Sequence, residues 1–458
     1  MRKYILIIIV FLASMLSAFS QTSSTPLDSM KMSFEQDAAK QRSDFAAYEA
    51  QALADYEQFV KSITNIWGGD TIINDTPKEW VEYDTDFHSR SIVNFEKGDI
   101  LIEVAIDEDE NSDISAINSR LAKTIERLLN SRGSSNPFKA ANQSEPLTKA
   151  PILDNIVDFS MFDLDTVAVA VNNRPAPPKP TVKGKPLAVN QSQGNSNGTS
   201  VNNAKDKKSS DVSKSSLAEK RDNARKKAEE RANALKDKNN KSSLAQKIAQ
   251  QINKKTSSII GNDGKSRKVV QVQMSLVADN LSKNAYKYKD IVAEFSKKFQ
   301  VEQPLIFAVM EVESAFNPEA KSWANAYGLM QLVPKYGGAT AYQYVYKKSW
   351  IPEPAYLYNP RNNIELGTAY LRILMNTFSD VNDTHCQRLC VIAGYNTGPG
   401  NVCRAFDNTR NLSKKIFALI NKYEYSQLYN HLIVNLPAQE TRNYVKKVTE
   451  KREKYMKK

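Results

Sequence analysis

The feature that most limits how this chain can fold is a stretch that lacks the means to fold. Residues 172–210, NNRPAPPKPTVKGKPLAVNQSQGNSNGTSVNNAKDKKSS, are rich in Pro, Asn, Ser and Lys and poor in large apolar side chains. Such a composition cannot bury enough surface to offset the entropy of ordering it. The segment after it, SLAEKRDNARKKAEERANALKDK, holds strong helix formers but no apolar stripe, so it reads as a solvated, fraying helix. One continuous core through all 458 residues is therefore excluded. The reading is a leader at 1–20, a small α+β N-terminal domain at 21–172, a disordered, low-complexity basic linker at 173–265, and a mainly α domain at 266–458.

Charge follows the same division. Residues 174–268 carry 23 Lys/Arg against 8 Asp/Glu, a net of +15. Residues 21–173 are acidic, with 13 basic and 27 acidic side chains, and the stretch after Lys268 has a net of +9. The basic linker lacks the interleaved aromatics of a nucleic-acid surface, so nucleic acid is not expected as a partner. An anionic envelope polymer, or plain solvation, suits it better.

Met1 to Ser20, MRKYILIIIVFLASMLSAFS, has Arg2 and Lys3 ahead of an apolar run and closes on Ala18-Phe19-Ser20, the pattern of a secretory signal peptide. The expectation is export to the periplasm or cell envelope. The three cysteines, Cys386, Cys390 and Cys403, lie far from this leader, so no lipoprotein cysteine is expected. They are read as small packing residues of a helix. His88, His385 and His431 are scattered, and neither a metal nor a cofactor is expected.

Within the acidic part, Phe45, Tyr48, Ala52, Tyr56, Phe59 and Ile63 recur at helical spacing and predict a long helix ending near Trp67. SIVNFEKGDILIEVAI sets two β-rich runs about Glu96-Lys-Gly-Asp99, a hairpin signal. Ile114, Ile117, Leu121, Ile125 and Leu128 predict a second helix. No catalytic constellation is visible in this part.

The mainly α part opens with a stripe, Ala285, Tyr288, Ile291, Val292, Phe295 and Phe299, read as one helix. After Gln303-Pro304 a further helix is expected to run to about Ala315, with Leu305, Ile306, Val309 and Val312 on one face. Glu313 falls on that face, whereas Glu311 falls off it, beside Phe307 and toward water. A carboxylate turned inward needs a task or a partner. It is either a general acid, its proton held by desolvation and by the negative end of the helix, or the partner of a buried arginine or a backbone turn. The periodicity alone leaves both open.

Further motifs follow in order: Glu313-Ser314, Phe316-Asn-Pro318, Tyr327-Gly-Leu-Met-Gln331, Asn362 to Leu371 (NNIELGTAYL), Gly394 to Gly400 (GYNTGPG), and Glu440 to Val445 (ETRNYV). As a set, spanning about Lys283 to Arg452, they resemble the lytic transglycosylase family with the goose-type lysozyme-like fold. WVEYDTDFHSRSIVNFEKGDILIEVAI resembles the N-terminal domain of a membrane-bound member of that family, normally a lipoprotein. The resemblance implies that Glu313 is the sole catalytic acid/base. It implies substrate-binding places for Ser314, Ser322, Gly328, Met330, Gln331, Tyr395, Asn396 and Tyr444. By the same resemblance the substrate is the glycan strand of peptidoglycan, cut between N-acetylmuramic acid and N-acetylglucosamine without water to leave a 1,6-anhydro end. Glu440 and Arg442 are expected to be structural, through an ion pair holding the last helix to the core. A goose-type lysozyme hydrolysis, and a peptidoglycan-binding or assembly protein without catalysis, are the alternatives. A cell-wall or envelope protein could engage the N-terminal domain.

Overall fold

A computed structural model of the protein describes residues 26–69, 73, 76–108, 113–133, 148, 150–164 and 238–457. The expected leader at 1–20, and the expected linker as far as residue 237, lie outside these residues. Helix α1 (Pro26–Trp67) ends where the sequence reading placed its end. Its side chains Phe59, Ile63 and Trp67 are buried, whereas Tyr56 is exposed.

The α+β unit is built on one sheet. Strands β1 (Glu79–Tyr83), β2 (Ser89–Asn94) and β3 (Asp99–Asp107) form an antiparallel meander. The β2–β3 connection is the hairpin expected around Lys97-Gly98, with Gly98 at φ +79. Helix α2 (Ile114–Asn130) buries Ile117, Leu121, Ile125 and Leu128. The short β4 (Val157–Asp158) lies on the far side of the sheet.

Residues 238–276 correct the expected boundaries. Helix α3 (Lys238–Gln251) buries Leu244, Ala245, Ile248 and Ala249 in the same core as α2. Strand β5 (Lys255–Ile260) pairs with β6 (Ser266–Leu276), and β6 pairs antiparallel with β3 from Asp99↔Ser275 to Asp107↔Arg267. The sheet order is β1-β2-β3-β6-β4, so β6, which follows β4 in the chain, lies between β3 and β4 in the sheet. The physical reason is legible afterwards: Val270, Val272, Met274 and Leu276 alternate with Gln271, Gln273 and Ser275, the period of a strand with one buried face. Arg267, almost fully buried, closes the edge by pairing with Asp107 and Asp263.

The α unit follows directly. The expected single stripe helix is two, α4 (Asn280–Lys287) and α5 (Lys289–Phe299), broken at Tyr288. Then come α6 (Gln303–Ser314), a π-turn (Pro334–Gly338), α7 (Ala339–Tyr346), α8 (Pro354–Tyr358), α9 (Pro360–Thr377), α10 (Thr384–Thr397), α11 (Pro399–Cys403), α12 (Lys414–Ile420), α13 (Tyr425–Asn435) and α14 (Gln439–Met456). Helix α6 is sheathed by its neighbours, so Leu305, Ile306, Ala308, Val309 and Met310 are fully buried. The three cysteines are buried and unpaired, as packing residues should be. No helix among the described residues is long and apolar enough to cross a membrane.

The two units touch. Ala315 packs into the sheet's apolar cluster, Asn317 Nδ2 donates to the Pro77 carbonyl (3.4 Å), and Asn280 Nδ2 donates to the Phe95 carbonyl (3.0 Å).

Candidate active site

Helix α6 delivers two carboxylates to different places. Pro304 pre-sets its first turn, and Glu302 at its N-cap is anchored by Arg388 (2.7 Å) and by Arg452 of α14. The helix stops abruptly, because Ala315 and Phe316 both take left-handed backbone (φ 49 and 64). Two consecutive non-glycine residues in that region are strained and must be held by their surroundings. Ala315 and Phe316 are indeed buried. The abrupt stop leaves Glu313 in the last helical turn, half-buried, with its carboxyl in a cavity of about 980 Å³.

Glu311 does not face water as the wheel suggested. It is buried, accepts a hydrogen bond from the Tyr455 hydroxyl (2.5 Å), and pairs with Lys451 (2.9 Å) and Lys454 (3.2 Å), all on α14. Burial alone would raise its pKa, but the hydroxyl and the two ammonium groups outweigh it and hold the carboxyl below the usual range. Glu313 is the opposite case. Desolvation dominates and raises it to about 7; the nearby Tyr444 hydroxyl opposes the rise, Glu440 adds to it, and Lys78 opposes it.

The turn Tyr327 to Gln331 closes one side of the cavity, and it is pinned from behind. Buried Asn363 donates to the Tyr327 (2.8 Å) and Leu357 (2.7 Å) carbonyls and accepts from the Met330 amide (2.7 Å). A Cβ on Gly328 would stand 2.3 Å from the Leu357 carbonyl, so glycine is required there by packing, not by approach to a ligand. Met330 is fully buried and packs against Gly367. Ser314 is fully buried too, its hydroxyl donating to the Leu329 (2.8 Å) and Met310 (3.0 Å) carbonyls. These three residues, expected to meet a substrate, lie behind the cavity wall and brace it.

The other expected residues converge. Glu313, Ser322, Gln331, Tyr395, Asn396 and Tyr444 all line the cavity, with Tyr370 beside Tyr395 at 5.5 Å between ring centroids. The Tyr395 hydroxyl donates to the Met330 carbonyl (2.8 Å), and Asn396 accepts from Thr441 (2.7 Å). Burial, followed by the Glu313 charge, pushes both tyrosines well above the usual phenol range, so neither exchanges a proton near neutrality. Gln331 Oε1 and the Tyr444 hydroxyl are buried and lack a hydrogen-bond partner of good geometry. Unspent polar atoms of this kind in a cavity suit a polar ligand.

Beside the expected Tyr444, the lining residues Asn443 and Lys447 went unnoticed in the sequence, and Glu440 was expected only in a structural role. Glu440, Asn443, Tyr444 and Lys447 form an i, i+3, i+4, i+7 stripe on α14 that faces the cavity. Glu440 is therefore not an ion-pair partner of Arg442, whose guanidinium instead donates to Gln439 (3.2 Å) and to the Val434 carbonyl (3.1 Å). The helical spacing in ETRNYVKK could have shown this stripe. The opposite wall is a greater surprise, because it comes from the α+β unit: Thr76, Pro77, Lys78 and Glu79 at the entry to β1, and Asn94, Glu96 and Lys97 at the β2–β3 turn. Lys78 pairs with Glu96, and Asn94 donates to Glu79 (2.8 Å). Nothing in the local sequence announces that a hairpin will face the helix of Glu313, more than 200 residues away.

An α-helical cradle holding Glu313, set against a small α+β unit, is similar in its two segments to known proteins. Residues 290–418 match the transglycosylase SLT domain, and residues 46–157 match the N-terminal domain of membrane-bound lytic murein transglycosylase C. The two matched segments lie in that order along the chain, the N-terminal-domain match ahead of the transglycosylase-domain match. Membrane-bound lytic murein transglycosylase C of Haemophilus ducreyi is 42% identical over 192 residues, 42% of this chain and 51% of that protein. Its counterpart in Photorhabdus laumondii is 39% identical over 178 residues, 39% of this chain and 49% of that protein. The chain spans about half the length of these relatives. The crystal structure of the 70 kDa soluble lytic transglycosylase of Escherichia coli aligns at 26% identity over 36% of this chain and 23% of that one, with a TM-score of 0.28.

Proposed function

We propose that the protein is a lytic transglycosylase of the cell envelope that cuts peptidoglycan glycan strands without consuming water. The observation that carries this reading is Glu313: a half-buried carboxyl in a large cavity, with its pKa raised to about 7, so that it keeps a proton where ordinary carboxylates have lost theirs. Glu313 gives that proton to the glycosidic oxygen between N-acetylmuramic acid and N-acetylglucosamine. The 2-acetamido group of the muramic acid stabilises the cationic sugar centre. Glu313, now ionised, removes the proton of the C6 hydroxyl, whose oxygen closes the 1,6-anhydro ring. The proton count returns to its start, and no second protein carboxylate is needed. Tyr395 and Tyr444, locked in their neutral forms, act as hydrogen-bonding walls. Gln331 Oε1 is free to accept from a sugar hydroxyl or amide.

Glu440 supports a second reading. It is exposed in the same cavity, and its charge is felt by Glu313. A carboxylate so placed could activate water, as the partner acid does in inverting glycosidases. Mass spectrometry of products from purified peptidoglycan separates the two, since an anhydro product is one water lighter than a hydrolysed one. Hydrolysed ends abolished by Glu440→Gln would overturn the transglycosylase reading, whereas anhydro ends that survive this change support it.

A further inference from the structure

We propose that Trp323 and Tyr336 form an aromatic platform at the mouth of the cavity that stacks on sugar rings of the strand beyond those bound at the scissile bond. The inference rests on the glycan-cutting reading and extends the site outward from the cavity.

Trp323 is 92% exposed, the most exposed large hydrophobic side chain among the described residues, and Tyr336 is 73% exposed. By contrast Trp67 and Trp80 are buried. A single exposed apolar residue is ordinary, but an indole presented whole to solvent beside a cavity is not. Its neighbours Ser322 and Ala324 line the cavity, and so does Tyr336. Neither ring makes a hydrogen bond or a ring contact among the described residues.

The presentation is built, not loose. Trp323 occupies the second position of a tight turn closed by the Asn325 amide on the Ser322 carbonyl (3.1 Å). The Ala326 amide donates to Ser322 Oγ (3.1 Å), the Ser322 amide donates to the Ala326 carbonyl (3.0 Å), and Asn325 takes the left-handed conformation the turn demands (φ 54). Tyr336 sits on the π-turn Pro334–Gly338, whose amides at Tyr336 and Gly338 both donate to the Val333 carbonyl (3.2 and 3.0 Å). The backbone that carries the two rings is thus fixed beside the cavity.

Their surroundings select the ligand. In the chain Trp323 stands among Lys321, Ser322, Ala324 and Asn325, so the large apolar area it offers is one plate beside polar groups. A protein partner needs a broad contiguous apolar face, which two separate rings do not make. A pyranose ring, with a flat C–H face and a rim of hydroxyls, matches a plate beside hydrogen-bonding groups. A glycan strand also runs out of the cavity on both sides of the cut bond, which supplies rings where the aromatic side chains stand.

The test uses the full chain and uncrosslinked glycan strands of defined length. Trp323→Ala should raise KM for long strands roughly five- to tenfold, the effect of one lost aromatic contact, with a smaller change in kcat. The increase should shrink as the strand shortens, Trp323→Phe should recover most of it, and Trp323→Ala with Tyr336→Ala should exceed either change alone. In the Glu313→Gln background, which should hold strands without cutting them, long strands should shift the tryptophan fluorescence, and Trp323→Phe should remove that shift. A KM that ignores strand length, or a fluorescence shift produced by phospholipid vesicles and not by strands, would overturn the platform. Full strand cutting by Glu313→Gln would instead overturn the reading of the site, so the two failures are distinct.

Discussion

Glu311 and Glu313 stand two residues apart on α6, carry the same side chain, and have their pKa values moved in opposite directions by what faces them. Glu311 looks toward α14, where two lysines and a tyrosine hydroxyl stabilise the anion. Glu313 looks into the cavity, where desolvation and the carboxylate of Glu440 favour the proton more than the Tyr444 hydroxyl and Lys78 oppose it. The lesson is that neither residue type nor burial assigns a role. Glu311 is the more deeply buried of the two, yet it is the one that stays ionised. The partner set decides.

The sharpest way to break the contrast is to remove each proton-binding group in turn. Glu313→Gln should reduce product release by about a thousandfold or more, the range general acid catalysis spans, with the fold intact by circular dichroism. Residual activity near wild type would mean that another group carries the proton. Next comes the pH dependence of kcat. Above about 7, where Glu313 ionises in the folded protein, the rate should fall with a single-proton slope. A rate still rising at pH 8 would place the titrating acid elsewhere.

The same shift acts on stability. Glu313 ionises at an ordinary carboxyl value when unfolded and near 7 when folded, so between those values the native state binds more protons. Stability should therefore fall as pH rises through that window and level off above it. Glu313→Gln should raise Tm at pH 8 more than at pH 5. Glu311→Gln should do the reverse of a gain at neutral pH. Leaving Lys451 and Lys454 facing a neutral amide should cost roughly 1–3 kcal/mol, less than a fully enclosed pair because both lysines can reach water. Denaturant unfolding checks this, and an unchanged midpoint would show that Glu311 is not the anchor it looks.

The smallest effects carry the most detail, because they have opposite signs. Lys78→Gln removes a positive charge that opposes Glu313's proton, so the alkaline limb should move up. Glu440→Gln removes a negative charge that favours it, so the limb should move down. Shifts in the same direction would show that these changes act by distorting the cavity and not through charge.

How much of this could be read from the chain depended on contiguity. The apolar face of α6 and the side on which Glu313 falls were legible, because a helix writes its geometry into a dozen adjacent residues. The wheel placed Glu311 on the other side correctly but could not say that α14 lies there, since Lys451, Lys454 and Tyr455 come more than 130 residues later. Ser314 and Met330 sit inside the right motifs and still face away from the cavity, because a motif marks a neighbourhood and not a direction. The sheet was half legible. The β2–β3 hairpin is local and was expected, whereas β6 pairs with β3 across some 160 residues, and its alternating valines follow a segment that reads as linker. The cavity wall at Lys78 depends on that sheet's placement, so it could not be foreseen either.

The return of the chain to its own sheet has a consequence for how the molecule would respond to a protease. Residues 165–237 fall in the chain between β4 and α3, two elements of the same α+β unit, so in chain order they are an insertion in one unit and not a connection between two. The connection to the helical unit is instead the short step from Leu276 to Asn280. A cut within the insertion would yield two polypeptides with no free particle, each supplying strands that the other requires: β1 to β4 on one, β5 and β6 on the other. Nicked protein should run as a single species in gel filtration and part only in denaturant, and the two pieces made separately should reconstitute the cavity when mixed. In that sense the described fold is already divided into two complementary pieces of chain, neither of which completes the sheet alone.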